Sequence, residues 1–321
     1  MESRTKTRVT EDQLRAIARA HLHEHGALRG VRELTDGWFN TAYALELADG
    51  QRFVIKLAPA DTVRVMRYER DIMRSEVEVM RSVRAATTVP VPRIVAYDTS
   101  RTLVDADFFC MEFLPGQPLA QLRATLPAAM STHIDEQVGG LLRQMNALHH
   151  TAFGYYAAPH SRCWRDAFAL MLDDVLADGR DMDVTLPVAD LRTLFADLLP
   201  VMDGVPTPCL VHWDLWDGNI FVDAASGQIT GIIDFERALW GDPLIEATFV
   251  NLDAESAVIR GYGQPLLATP EQRCRRMLYN IYLALIMVVE CAFRGYTRDR
   301  EAEARAMLTQ YMNMDFPLVC S

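Results

Sequence analysis

Residues 210–243 read LVHWDLWDGNIFVDAASGQITGIIDFERALWGDP. His212, Asp214 and Asn219 stand there in an H-x-D-x-x-x-x-N spacing, and Asp234 follows fifteen residues after Asn219. Phosphoryl transfer from a nucleotide needs this set of groups. One carboxylate positions and deprotonates a hydroxyl, while an amide oxygen and a second carboxylate hold Mg²⁺ against the phosphates. Apolar runs of β type flank both parts (209–211, 220–222 and 229–233), and Ala225-Ser226-Gly227 signals a turn between them. A hairpin there brings Asn219 and Asp234 to one end. A buried His ahead of a polar loop is commonly a structural hydrogen-bonder, so the motif needs support from elsewhere in the chain.

Lys56 supplies it. The chain holds 32 basic residues, of which only Lys6, in the N-terminal tail, and Lys56 are lysines. Lys56 sits in the strand pattern RFVIKL (52–57), entered through the turn signal Asp49-Gly50. A compact ammonium aimed at two phosphates is not replaceable by the planar fork of Arg. The competing reading is a Lys snorkelling from a half-buried strand.

A buried ammonium needs a partner. Helical periodicity from Val65 to about Arg84, with Ile72, Val79, Met80 and Val83 on its apolar face, offers Glu69, Glu76 and Glu78. Glu76 lies four residues from both Ile72 and Met80, on the core side, and Glu78 points about 200° away from it. Glu76 is therefore the expected partner. Between short strands at 31–34 and 42–47, the loop TDGWFNT (35–41) is expected to cover the phosphates. It has one Gly where a G-x-G-x-x-G cradle has three, but Gly37, Asn40 and Thr41 can offer N–H and side-chain donors.

These residues resemble the aminoglycoside phosphotransferase and choline kinase-like family of small-molecule kinases. The likeness runs from about Leu34 to the helix expected after Pro243 and is most specific over 211–243. It implies an α+β, two-lobed protein-kinase-like fold. A small antiparallel-sheet N-lobe would span 1–111, an interlobe linker 112–118 and a mainly helical C-lobe 119–321. By the same resemblance Asp214 is the catalytic base, and Asn219 and Asp234 hold Mg²⁺. Lys56 binds the α/β-phosphates of ATP or GTP and pairs with Glu76. CMEFLPG (110–116) resembles the linker, where backbone groups near Glu112 and Leu114 bind the purine. The wording of 214–219 also resembles fructosamine kinases. Two departures stand out: Trp213 where the family commonly has Gly, and Asp234-Phe235-Glu236 in place of Asp-Phe-Gly.

Spacing separates a peptide acceptor from a small one. Only residues 235–240 divide Asp234 from Gly241-Asp242-Pro243, which reads as a helix start with Asp as N-cap and Pro at N1. No room remains for a peptide-binding activation segment. About ninety residues between the linker and His212, with amphipathic helices near 133–149, 164–176 and 189–201, can instead wall a small acceptor.

Charge is unevenly placed. Residues 1–111 hold 17 basic and 16 acidic residues, and residues 112–321 hold 15 and 27, a net of −12 within a total of −11. An acidic acceptor lobe repels nucleic acid and attracts a cationic acceptor, although a plain solubilising surface has the same composition. Asp173, Asp174, Asp253, Glu255 and Glu290 are candidate acceptor contacts, while His149 and His150 read as capping or packing residues. Residues 1–10 are polar, and the longest apolar stretch, 281–289, is short for a bilayer. Six cysteines show no C-x-x-C and no paired Cys/His spacing. A cytoplasmic protein with reduced thiols and no membrane or zinc is the expectation.

The expected function is thus ATP- or GTP-dependent O-phosphorylation of a small, amino-bearing molecule, an aminoglycoside or other antibiotic first. A sugar amine such as a fructosamine, or a choline-like metabolite, is the alternative acceptor. A nucleotide-binding pseudokinase is the competing class, and the joint presence of Lys56, Asp214, Asn219 and Asp234 argues against it. Acceptor identity, ATP against GTP, and oligomeric state stay open at this level.

Overall fold

A computed structural model describes residues 3–35 and 37–314. Asp36, which belongs to the expected phosphate loop, lies outside the described residues. The first helix, α1 (Glu11–His21), opens on the capping box that Thr10 and Gln13 promised: each side chain satisfies the other's backbone N–H. Strands β1 (Leu28–Leu34), β2 (Thr41–Leu47) and β3 (Arg52–Leu57) follow, then helix α2 (Ile72–Ala86) and strands β4 (Ile94–Asp98) and β5 (Phe108–Glu112). They form one antiparallel sheet in the order β1-β2-β3-β5-β4.

Strand alternation divides the core of this sheet. Phe53, Ile55 and Leu57 pack with Leu14 and Ile17 of α1. Val54 packs with Met73, Val77 and Met80 of α2 on the other face. Lys56, two residues on from Val54, therefore points to α2.

The rest of the chain is mainly helical. It contains β6 (Gln117–Pro118), α3 (Leu119–Leu122), α4 (Ala128–Asn146), β7 (Gly154–Tyr155), α5 (Trp164–Asp181) and α6 (Val188–Leu198). Then come β8 (Cys209–Val211), β9 (Ile220–Val222), β10 (Ile229–Ile232), β11 (Leu239–Gly241), α7 (Ala257–Tyr262), α8 (Pro270–Arg294) and α9 (Arg298–Met312). Helices α4 and α7 touch backbone to backbone through two glycines. A Cβ on Gly139 would lie 1.9 Å from the Val258 carbonyl oxygen, and one on Gly261 would lie 1.8 Å from that of Glu136. Only glycine permits this crossing.

Helix α8 is the spine of the C-lobe. By length and composition its 25 residues could cross a bilayer, which the shorter 281–289 run did not suggest, but 78% of its most apolar window is buried inside the protein. Leu278, Tyr279, Ile281, Tyr282, Leu285 and Ile286 are wholly enclosed.

Two expectations need correction. The helix foreseen from Val65 begins only at Ile72, because residues 67–69 form a 3-10 turn and Asp71 takes a left-handed conformation at φ 54°. That turn sends Tyr68 and Glu69 to Glu290 and Arg294 of α8, so buried residues facing a different partner had imitated the helical period. The chain after Asp242 is a 3-10 turn (Pro243–Thr248), although Asp242 caps it as foreseen by accepting from the Leu244 N–H. Cys110, Cys163, Cys209 and Cys291 are free thiols.

Candidate active site

The β9–β10 hairpin forms with Ile220 opposite Ile232, and the Ile233 N–H donates to the Asn219 carbonyl at 3.1 Å. Asn219 and Asp234 therefore share one end, as the turn signal implied. The Asn219 side-chain amide donates to the Asp214 carbonyl oxygen at 2.8 Å and to its Oδ2 at 3.2 Å. His212 ties the loop after β8 to the end of β10: its Nδ1 accepts from the Asp214 N–H at 3.2 Å, and its Nε2 donates to the Ile233 carbonyl at 3.0 Å. Burial pushes its pKa down to about 4, so it stays neutral in this role. His212 is the structural hydrogen-bonder of the plainer reading.

Trp213 explains its own departure from Gly. The residue sits at φ 53°, a conformation that suits glycine, and its fully buried ring stacks on Tyr282 of α8 with centroids 5.6 Å apart and planes 11° from parallel. Packing against the C-lobe spine holds the strained backbone. Asp234 is likewise left-handed, at φ 69°. Two supports of this loop were not singled out in the sequence. Buried Glu246 accepts from the N–H groups of His212 (2.7 Å) and Trp213 (3.2 Å). Arg123 grips Asp217 with two parallel bonds of 2.8 and 2.7 Å. Their only signals were an acid just past a capping Asp and an Arg beyond the linker.

From the other lobe, Lys56 reaches the same place. Its Nζ donates to Glu76 at 2.9 and 2.8 Å, to Asp234, and to Glu236 at 3.1 Å. Burial works against the charge of Lys56, but Asp234, Glu236 and Glu76 outweigh it and keep the ammonium protonated. Glu69 and Glu78 are engaged elsewhere, with Arg294 and Arg74. Burial, with Asp234 and Glu236 alongside, raises Glu76 to about 8. Burial likewise raises Asp214 to about 8, with Asp234 and Glu236 adding to the shift and Arg237 opposing it.

Glu236, noted in the sequence only as a missing glycine, is thus part of the cluster. Oxygens of Glu76, Asp234 and Glu236 lie within 4.8 Å of one another. Three carboxyl groups crowd one ammonium, and burial together with that crowding raises Glu76 and Glu236; a divalent cation held by oxygen ligands would favour their ionised forms. The residues present fit Mg²⁺.

The phosphate loop arrives by another route. Asn40 donates from Nδ2 to Glu236 at 2.7 Å. Asn40 and Thr41 are buried, and the Asn40 Oδ1 and Thr41 Oγ1 have no partner among the described residues. Such orphaned atoms suit a ligand. The Gly37 carbonyl accepts from Lys6. In the linker, the Glu112 N–H donates to the Arg93 carbonyl and the Glu112 side chain accepts from the Arg93 guanidinium. The Leu114 side chain lies against β10, where a Cβ on Gly231 would stand 2.2 Å from Leu114 Cδ1.

The proposed acceptor contacts do not gather. Glu290 is buried and paired with Arg237 at 2.7 Å and Arg294 at 3.2 Å, while Asp173 and Asp253 pair with Arg192 and Arg276 at the surface. Asp174 is half-buried, which raises its pKa.

The sequence profile of the phosphotransferase enzyme family matches residues 30–269. The chain belongs to that family. A probable ketoamine kinase of Synechocystis sp. (strain PCC 6803) is 25% identical over 276 residues, spanning 78% of this chain and 81% of that protein. A thermostable mutant of the aminoglycoside phosphotransferase APH(4)-Ia superposes with a TM-score of 0.66 at 18% identity, over 94% of this chain and 98% of its own. The same enzyme has been seen with AMP-PNP and hygromycin B. APH(2")-IIa in complex with gentamicin gives a TM-score of 0.66 at 15% identity, over 98% and 99% of the two chains. The fold is the kinase-like one of these phosphotransferases, and the chain is an enzyme of that class.

Proposed function

We propose that this phosphotransferase moves the γ-phosphate of ATP or GTP to a hydroxyl of a small, amino-bearing molecule. The observation that carries the reading is the Lys56 ammonium, held between Glu76 of the N-lobe and Asp234 and Glu236 of the C-lobe. In this reading Lys56 receives the α/β-phosphates and Glu76 orients it. The Glu112 carbonyl and the Leu114 amide meet the purine. Gly37, Asn40 and Thr41 cover the phosphates. Asp214 positions the acceptor hydroxyl and takes its proton; a base near pKa 8 is matched to that task at neutral pH. Asn219 and Asp234, with Glu236 beside them, would hold Mg²⁺, which when bound supplies charge neutralisation at the phosphates.

Two observations support a small acceptor. Residues after Asp234 run directly into β11, which pairs with β8 and β7, so no peptide platform intervenes. Helices α3 to α6 stand between the linker and the catalytic loop. Of the amino-bearing candidates, aminoglycosides are the first reading. A ketoamine is the second, favoured by the 25% identity to the Synechocystis protein and by Trp216, which lies exposed two residues from Asp214.

A panel of aminoglycosides, ketoamines and choline-like amines should be screened for acceptor-dependent release of ADP or GDP. Release with at least one amine is the expected result. None with any member, while nucleotide still binds, would transfer the chain to the pseudokinase class. For the active amine, kcat/KM should fall with added salt more than for a neutral analogue, because screening shortens the reach of the acidic lobe to about 8 Å at physiological ionic strength.

A further inference from the structure

The second lysine of the chain is not a tail residue. Residues 5–7, just ahead of α1, lie along the phosphate loop and the end of β3. The Thr5 hydroxyl donates to the Phe39 carbonyl at 2.8 Å, and the Thr7 hydroxyl to the Ala58 carbonyl at 2.7 Å. Between them the Lys6 ammonium donates to two carbonyls of the loop itself, those of Gly37 at 2.6 Å and Asn40 at 2.5 Å. The Arg4 N–H continues the strap by donating to the Arg294 carbonyl at the end of α8.

From this arrangement, and resting on the nucleotide-donor reading above, we infer that Lys6 is a positioning residue for the donor phosphates. Both lysines of the chain then serve one ligand. An ammonium that gathers two carbonyls of a loop turns their negative ends towards itself. Peptide planarity then points the following N–H group, that of Trp38, the opposite way, while Thr41, next after Asn40, is already paired with Leu57 in the sheet. A loop with a single glycine thereby gains from outside the orientation that a glycine-rich loop gets from its own backbone.

The charge also reaches the site. Burial lowers the pKa of Lys6, and Lys56 lowers it further, while Glu33 and Glu236 oppose the shift. Lys6 therefore lies within electrostatic range of the cluster around Lys56. Asn40 links the two lysines physically: its carbonyl accepts from Lys6, and its side chain donates to the Glu236 that Lys56 also contacts. Its buried Oδ1 and the neighbouring Thr41 Oγ1 are the loop atoms without a partner among the described residues.

The test is calorimetry on the full chain with adenosine, MgADP and MgAMP-PNP, and with the guanosine series in parallel. Lys6→Met should weaken the triphosphate analogue by roughly 10-fold or more, the worth of a charge-assisted hydrogen bond, and leave the nucleoside nearly unchanged. Lys6→Arg should recover most of the loss, since Arg keeps the charge and can bond both carbonyls. Thr7→Val, which loosens the strap without touching charge, should not reproduce the selective loss. Equal weakening of nucleoside and triphosphate, no weakening at all, or the same pattern from Thr7→Val would each overturn the inference. A wild type that binds no nucleotide would overturn the donor reading and this inference with it, whereas a wild type that binds while Lys6→Met does not discriminate overturns the inference alone.

Discussion

The catalytic loop and the phosphate loop meet at one cluster, yet they are held in different ways. His212 and Asp214 are fixed within the loop and its hairpin, by each other, Asn219 and Ile233, and only Glu246 is added from 34 residues on. Residues 37–41 are fixed from both ends of the chain: by Thr5 and Lys6 upstream, and by Glu236 and the α8–α9 region downstream. There Arg294 lies 5.0 Å from the Phe39 ring centroid, Tyr296 packs edge-on to Trp38, and Arg300 covers the Trp38 ring at 4.6 Å. A site built within one stretch carries its own spacing and is rigid by local bonding. A loop tied by distant contacts carries little spacing of its own, and it couples the two lobes.

The largest effect should come from the locally built region. Asp214→Asn should lower kcat by roughly 10²–10⁴-fold, the usual worth of a positioned base, while nucleotide affinity stays close to wild type. Steady-state kinetics on the active acceptor checks this, and near-normal turnover would remove Asp214 from the role.

His212 gives the same region an acid weakness. Its pKa is about 4 in the fold against an ordinary 6.5, so the unfolded chain binds the proton first. The stability it confers is complete above about pH 6.5 and is lost as pH falls towards 4, amounting to about 3 kcal/mol. Urea midpoints of wild type and His212→Gln between about pH 7 and pH 4.5 should converge on acidification. Parallel curves would mean that another group sets the acid limit.

A smaller and different change is expected in the phosphate loop. Asn40→Ala removes the bond to Glu236 and should raise the nucleotide KM roughly 3- to 10-fold with little change in kcat, because one hydrogen bond to a charged group is lost away from the reacting hydroxyl. A kcat defect as large as that of Asp214→Asn would erase the proposed division of labour between the two loops.

The same difference explains what the sequence could and could not reveal. The hairpin, the approach of Asn219 to Asp234, and the Lys56–Glu76 pair were all legible, since each rests on a local turn signal or on strand and helix periodicity. Periodicity failed at Val65–Asp71, where Tyr68 and Glu69 are buried against α8 while the backbone leaves the helix. Glu246 and Arg123 were illegible because a lone acid or Arg in an amphipathic stretch gives no clue to a partner far along the chain. Trp213 signalled a departure, but its companion Tyr282 lies in α8, beyond any local pattern. Glu236 looked like a lost hinge and proved to be a third carboxylate on Lys56.

In the proposed function, donor nucleotide and Mg²⁺ meet where the two lobes share Lys56. Calorimetric titration of ATP and GTP, with and without Mg²⁺, into wild type and Asp234→Ala tests it most directly. The wild type should bind at least one nucleotide with a clear gain from Mg²⁺, and that gain should vanish in Asp234→Ala, because the variant removes the charged group of the Asn219–Asp234 pair that would hold the ion. A variant that binds nucleotide with its Mg²⁺ dependence unchanged would contradict the account.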